Sequence, residues 1–222
     1  DDSGVWVDSE SGVALAHNRL SIIDLSKSGQ QPMKSMSGRY IISFNGEVYN
    51  HLEIKDILNK KYMDKFSWKG SSDTEVLINA IDILGLNNTL KLIKGMFALA
   101  LWDKINKEMI LVRDRFGEKP LYWGFIKNIK NNQRDIVFAS DLKAFRGNKN
   151  FNNALSRDGL NNYFNYGYIS APKSIYENIF QVSPGSLIKI DKKKFEYDPN
   201  YKPTTKTWYK FFKEEKKTTK IN

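Results

Sequence analysis

With 222 residues, 41% hydrophobic and 13% aromatic, the chain can bury one substantial core, and its longest apolar runs, of which FALALW is typical, fall far short of the roughly 20 residues that cross a bilayer. The absence of cysteine excludes disulfides, thiolate metal ligands and a thiol nucleophile among these residues, and the two histidines, His17 and His51, lack the spacing of a metal motif such as HExxH. The net charge of +10 admits a nucleic-acid partner, but the Lys excess is dispersed and densest in KTWYKFFKEEKKTTKIN, as on a solvated surface.

Taken in chain order, Asp1-Asp2-Ser3-Gly4 is turn-like and starts without Met, so the beginning reads as a cut. VALAHNRLSII and RYIISF predict strands. The second leads into Asn45-Gly46, a dipeptide that signals a tight hairpin, because both residues tolerate the positive φ of a type I′ turn. A hairpin needs a returning strand. Instead Ile54, Ile57 and Leu58 follow with the spacing of one helix face, and Asn50 with Glu53 has the form of a capping box. The predicted order is strand, short bend, then helix from Asn50 to about Lys61, leaving Asn45 and Gly46 at a strand end where a side-chain amide and a backbone N–H can face a ligand.

A second helix is predicted from Ser72 to about Leu84, with Ser72 and Glu75 as its capping box, and a shorter one in NTLKLIKGM. FALALWDKINKEMILVRD reads as two antiparallel strands with a polar connection, and PLYWGFI, DIVFASD and SLIKID as further strands. Gly117 and Pro120 punctuate a turn within VRDRFGEKPLY. Early helices between clusters of strands favour an α+β layered domain with antiparallel sheets over a parallel βαβ fold. Past Pro199 the pattern fades into Lys, Thr and Pro, which divides the chain into a domain over 1–198 and a linker over 199–222.

LAHNRLSIIDLS, SFNGEVYN, GSSDTEVL, IKGMFALALWD, VRDRFGEKPLYWG, FASDLKAF and YGYISAPKSIYENIFQVSPGS occur in this order. Together they resemble the glutaminase domain of class II glutamine amidotransferases, and the asparagine synthetase branch in particular, over about Asp1 to Asp191. The resemblance implies a four-layer αββα N-terminal-nucleophile hydrolase fold with two antiparallel sheets. It also implies hydrolysis of glutamine by an N-terminal cysteine whose own α-amine, of ordinary pKa roughly 7.7 to 8.0, serves as base.

By that resemblance Asn45 and Gly46 form the oxyanion hole, and Arg19 holds the substrate α-carboxylate with Ile22 lining the pocket nearby. Asp73 binds the α-ammonium with Glu47 as a second acceptor. Each has a plainer reading: an Asn-Gly turn, a strand Arg in a surface ion pair, and for Asp73 an acid favoured by the helix dipole without any ligand. His17 reads as a hydrogen-bonded structural residue, and Arg113, Asp114 and Lys119 as parts of a structural turn.

Ser170 and Asp141 stand where relatives commonly carry Pro and Glu. The family's opening cysteine segment and its ATP-pyrophosphatase domain with an SGGxDS loop are not among these residues. The implied function is the glutamine-hydrolysing half of an asparagine synthetase-like enzyme, supplying ammonia for ATP-dependent amidation of aspartate. The alternatives are an amidotransferase acting on surface-polysaccharide sugars, or a non-catalytic domain that binds glutamine or a protein partner. The chain as given, lacking the cysteine, is expected to be inactive. No cofactor or metal is implied for this domain, with ATP and magnesium expected in the synthetase domain. The implied partners are glutamine and that C-terminal synthetase domain, with a homodimer allowed and neither nucleic acid nor membrane, in a cytoplasmic setting.

Overall fold

Short runs of Val, Ile and aromatic residues make strands because their branched or flat side chains suit a pleated, half-buried surface. The computed structural model describes residues 2–19, 29–61, 67–129 and 133–210, and every strand pair among them is antiparallel. The turn-like opening is in fact a strand: Val5, Trp6 and Val7 outweigh the residues before them, and β1 (Asp2–Asp8) pairs with β2 (Val13–Arg19).

A six-stranded sheet is built in the order β11-β10-β6-β5-β4-β3 from β3 (Met33–Lys34), β4 (Tyr40–Val48), β5 (Gly95–Asp103), β6 (Glu108–Arg113), β10 (Ser186–Asp191) and β11 (Thr204–Thr207). A three-stranded sheet joins β7 (Tyr122–Lys127), β8 (Arg134–Ala139) and β9 (Ile179–Gln181) in the order β8-β7-β9.

Alternation along β4 and β5 sends side chains to two cores. On one face, Phe44, Phe97 and Leu99 pack with Ile54, Leu58 and Leu77 from α1 (His51–Lys61) and α2 (Asp73–Leu84), beside α3 (Leu86–Leu92). On the other, Ile41, Ala98 and Trp102 meet Leu15, Leu121 and Val182. A third cluster, Phe145 with Tyr176 and Ile179, packs the 3-10 helix Leu142–Gly147 onto the three-stranded sheet. The helix, sheet, sheet, helix layering is as expected. The second sheet layer comes in two pieces, β1-β2 and β8-β7-β9, which do not pair with one another.

Several local expectations change. β4 runs through Asn45-Gly46 to Val48, because every residue from Tyr40 to Val48 has a partner in β5; the dipeptide is neither a turn nor a strand end. Asn50 spends its side chain on the α3–β5 connection, accepting from Lys94 N at 2.8 Å and donating to Leu92 O at 3.1 Å, rather than capping α1 as a box. The third helix overlaps its predicted stretch but starts at Leu86 and ends at Leu92, short of the predicted end, since Gly95 already belongs to β5. Two further helices, α4 (Arg157–Tyr166) and α5 (Lys192–Tyr197), were not anticipated. The stretch read as a linker adds β11 to the sheet, and Trp208 stacks on Phe97 with ring centroids 6.1 Å apart. Strand formation there rests on Thr backbones and one aromatic anchor, which periodicity does not reveal.

The turn in VRDRFGEKPLY is held by two buried charges of opposite sign, each bonded to backbone groups and not to the other. Asp114 is fully buried and accepts from the N–H groups of Phe97, Phe116, Glu118 and Lys119 at 3.0 to 3.3 Å. The Arg113 guanidinium donates at 2.8 Å to each of the carbonyls of Gly117, Lys119 and Val182. Gly117, at φ +71°, lets the turn close over the guanidinium. Asp114→Asn turns an amide toward N–H donors and strips several of them of a charged acceptor. It should lower the unfolding free energy by about 3 kcal/mol in urea titration, and a loss below about 1 kcal/mol would show that the turn does not depend on this carboxylate.

Candidate active site

Backbone groups of an antiparallel strand point alternately to its two sides. Phe97 of β5 gives its N–H to the Asp114 carboxylate (3.3 Å) and its carbonyl to Asp114 N (2.8 Å), both away from β4. Gly46, its register partner, therefore turns its own N–H and C=O to the outer edge, as do Ile42, Phe44 and Val48. Ile42 is met there by Met33 of β3. Phe44 is met by the Gln31 amide, which accepts from Phe44 N at 2.6 Å and donates to Phe44 O at 3.0 Å. Val48 N donates to Asp73 Oδ2 at 2.8 Å. Among the described residues nothing occupies the Gly46 position on this edge.

Position 46 admits no side chain. Its φ is +156°, and an added Cβ would lie 2.1 Å from the Met96 carbonyl oxygen and 2.6 Å from Phe97 Cα. Asn45 points to the other side of the strand, and among the described residues its amide has no hydrogen-bond partner. Both residues border a cavity of about 750 Å³. Its walls include Ala14 and Ala16 of β2, Ala98 and Ala100 of β5, and Ile136 to Ala139 of β8, so it fills the gap between the two pieces of the second sheet layer.

The cavity's acidic corner is the start of α2. Ser72 accepts from Glu75 N at 3.2 Å, so the predicted cap is present in one direction. The Glu75 carboxylate instead takes Lys69 N (2.7 Å) and Gly70 N (2.9 Å), ordering the approach to the helix. Asp73 is 6% exposed, and burial pushes its pKa above the ordinary carboxylate value against the bonds from Val48 and Thr74 and the field of His51. No cation is paired with it among the described residues. A carboxylate held this way can pair with a ligand's ammonium, and an amide and a backbone N–H that are unbonded among the described residues can together hold an oxygen that gains negative charge.

Of the sequence-predicted residues, Asn45, Gly46, Glu47 and Asp73 line this one cavity. Arg19 closes β2 opposite Asp2; its side chain and the whole of Ile22 lie outside the described residues. His17 lies on the wall with Nδ1 3.3 Å from Ser43 Oγ, which donates to Ala16 O at 3.2 Å. Gln31 and Thr74 were missed, since a Gln in a loop and a Thr in a helix carry no signal of a shared site. Among the described residues no group of three or more His, Cys, Asp or Glu side chains could hold a metal ion, and no helix is long and apolar enough to cross a membrane.

Residues 1–202 match the model of the glutamine amidotransferase domain family. A Methanocaldococcus jannaschii protein provisionally named glutamine-hydrolysing asparagine synthetase 2 is 31% identical over 91% of this chain and 42% of its own length. Two Bacillus subtilis glutamine-hydrolysing asparagine synthetases are also similar. Number 2 is 38% identical over 65% of this chain and 17% of that protein, and number 1 is 32% identical over 89% and 28%. The chain thus spans less than half the length of each of these relatives. Among solved structures, the glutamine phosphoribosylpyrophosphate amidotransferase of Bacillus subtilis superposes with a TM-score of 0.58 at 19% identity, covering 88% of this chain and 35% of that one. At that identity the likeness is one of fold, the αββα arrangement of N-terminal-nucleophile hydrolases.

The raised pKa of Asp73 makes a prediction that needs no ligand. Folding forces an ionised carboxyl into a buried place above that pKa, and the cost fades as pH falls through it, so the group's effect on stability becomes less unfavourable toward acid. Asp73→Asn should therefore melt no lower than the parent at neutral pH, with its relative advantage shrinking as the pH is lowered. A clearly lower melting temperature at neutral pH would mean that the carboxylate stabilises the fold.

Proposed function

This chain belongs to the glutamine amidotransferase domain family, and we propose that its cavity binds L-glutamine and stabilises the oxyanion formed when the side-chain amide is attacked. The observation that carries this reading is the pairing of an Asn45 amide with an open Gly46 N–H at one cavity, neither of them bonded among the described residues. Asp73, buried and without a cation partner among the described residues, takes the α-ammonium, with Glu47 beside it as second acceptor. Arg19 is assigned the α-carboxylate, and Ile22 the adjoining wall, by resemblance to the family.

The nucleophile is assigned to a cysteine at the head of a segment preceding these residues. Its thiolate forms a bond to the amide carbon, the carbonyl electron pair moves to oxygen, and Asn45 and Gly46 donate to that oxygen. Collapse breaks the carbon–nitrogen bond, the amine-borne proton leaves with ammonia, and water then releases glutamate from the thioester. We place that segment, in extended form, in the slot between β2 and β8, whose facing edges carry no strand among the described residues and where the alanines of β2 and β5 leave space beside Asn45. Ammonia then passes to a synthetase domain of the same protein, which uses ATP and magnesium to amidate aspartate in the cytoplasm. The names and greater lengths of the similar proteins support this placement.

A second reading is a domain that binds glutamine without hydrolysing it, which the same cavity residues would serve. Ammonia release separates the two. The 222-residue chain alone should release none above background, and a chimera carrying an added opening segment that begins with cysteine ahead of Asp1 should be active. In the chimera, Asn45→Ala should lower kcat by about a hundredfold with little change in KM. Arg19→Ala and Asp73→Ala should each weaken glutamine use by about ten- to a hundredfold. Activity in the short chain would overturn the assignment of the nucleophile, and a folded but inactive chimera would favour the binding-domain reading.

A further inference from the structure

Gln31 is 6% exposed and borders the cavity, yet the proposed chemistry gives it no role. Its amide does what a neighbouring strand would do. β3 begins only at Met33, opposite Ile42, so Phe44 has no strand on its outer side, and Gln31 supplies an acceptor for Phe44 N (2.6 Å) and a donor for Phe44 O (3.0 Å) together. The same nitrogen reaches Thr74 Oγ1 at 3.4 Å, and that hydroxyl donates to Asp73 Oδ1 at 3.4 Å, longer contacts that extend the connection to α2. The Gln31 main chain is pinned in turn: its carbonyl oxygen lies 2.0 Å from where a Cβ on Gly4 would be, so β1 packs directly against it.

We propose that Gln31 is a positioning residue for amide hydrolysis, fixing the β4 backbone that presents Asn45 and Gly46 and linking it to the Asp73 end of α2. The assignment rests on the reading of this cavity as an oxyanion site. Both polar ends of the side chain are already engaged, so Gln31 acts through Phe44 and not on the substrate. Only an amide offers an acceptor and a donor side by side at this length: Glu, when ionised, loses the donor, and Met loses both. Without the amide, the N–H and C=O of Phe44 face the cavity unpaired or bind water, and the strand loosens one residue before Asn45. A donor that must meet a transient oxyanion is sensitive to such a shift, because misplacement by about 1 Å can cost about a hundredfold in rate.

The test uses the cysteine-bearing chimera, with ammonia release measured against glutamine concentration. Gln31→Met should lower kcat by about ten- to a hundredfold while KM stays within about threefold, the pattern of a loss confined to the transition state. Gln31→Glu, which keeps the shape and the acceptor for Phe44 N, covers the case in which the Met variant fails to fold, and should show the same split to a smaller degree. An active parent whose folded variants keep kcat within about twofold, or lose only KM, overturns the positioning role alone. A folded parent that binds glutamine without releasing ammonia overturns the oxyanion reading, and this assignment with it.

Discussion

The Met96 carbonyl stands where a side chain at position 46 would have to go, and much of the structure follows from that close approach of β4 and β5. It permits β4 to continue as a strand through Asn45-Gly46, with Gly46 opposite Phe97. Phe97 is then fixed from three sides: its backbone is bonded to Asp114, and its ring lies between Phe44 and Trp208, with centroids 6.3 and 6.1 Å away. Asp114 organises the turn that carries Lys119 and Leu121 to the far wall of the cavity. One backbone contact thus couples the cavity's floor, the buried turn and the C-terminal aromatic anchor.

The electrostatics of the cavity run against those of the whole chain. The protein carries a net charge of +10, but among the described residues the cavity brings together Glu47, Asp73 and Asp141, with Lys119 as a cationic neighbour on the wall. Burial of Asp73 disfavours its ionised form, a cost that a ligand cation beside it would offset under the proposed role. The dispersed lysines contribute little to this field, since charges beyond a Debye length of about 8 to 10 Å are largely screened at ordinary salt.

What the sequence made legible is local or chemically distinctive. The β5–β6 pair, the second helix with its Ser72 cap and the glycine at position 46 each leave a signature in spacing or residue type. Asn45-Gly46 was ambiguous, because the same dipeptide suits a turn and a close strand approach, and only the partners along β5 distinguish them. Gln31 was invisible for a physical reason: its role depends on where β3 starts, a tertiary fact with no trace in the loop's composition. The segment past Pro199 misled because Thr-rich edge strands have little hydrophobic alternation, and its ordering comes from Trp208 on Phe97 and from Tyr201 in the inter-sheet core.

The central claim is that the open edge of β4 at Gly46, together with the Asn45 amide, receives the side-chain amide of glutamine. Amide-resolved NMR of the 222-residue chain titrated with L-glutamine tests it without the need for turnover. The account predicts saturable shifts of the Gly46 backbone N–H and the Asn45 side-chain NH₂, accompanied by Val48, whose N–H rests on Asp73, and much weaker effects from D-glutamine. Saturable binding that leaves Asn45 and Gly46 unmoved would contradict it.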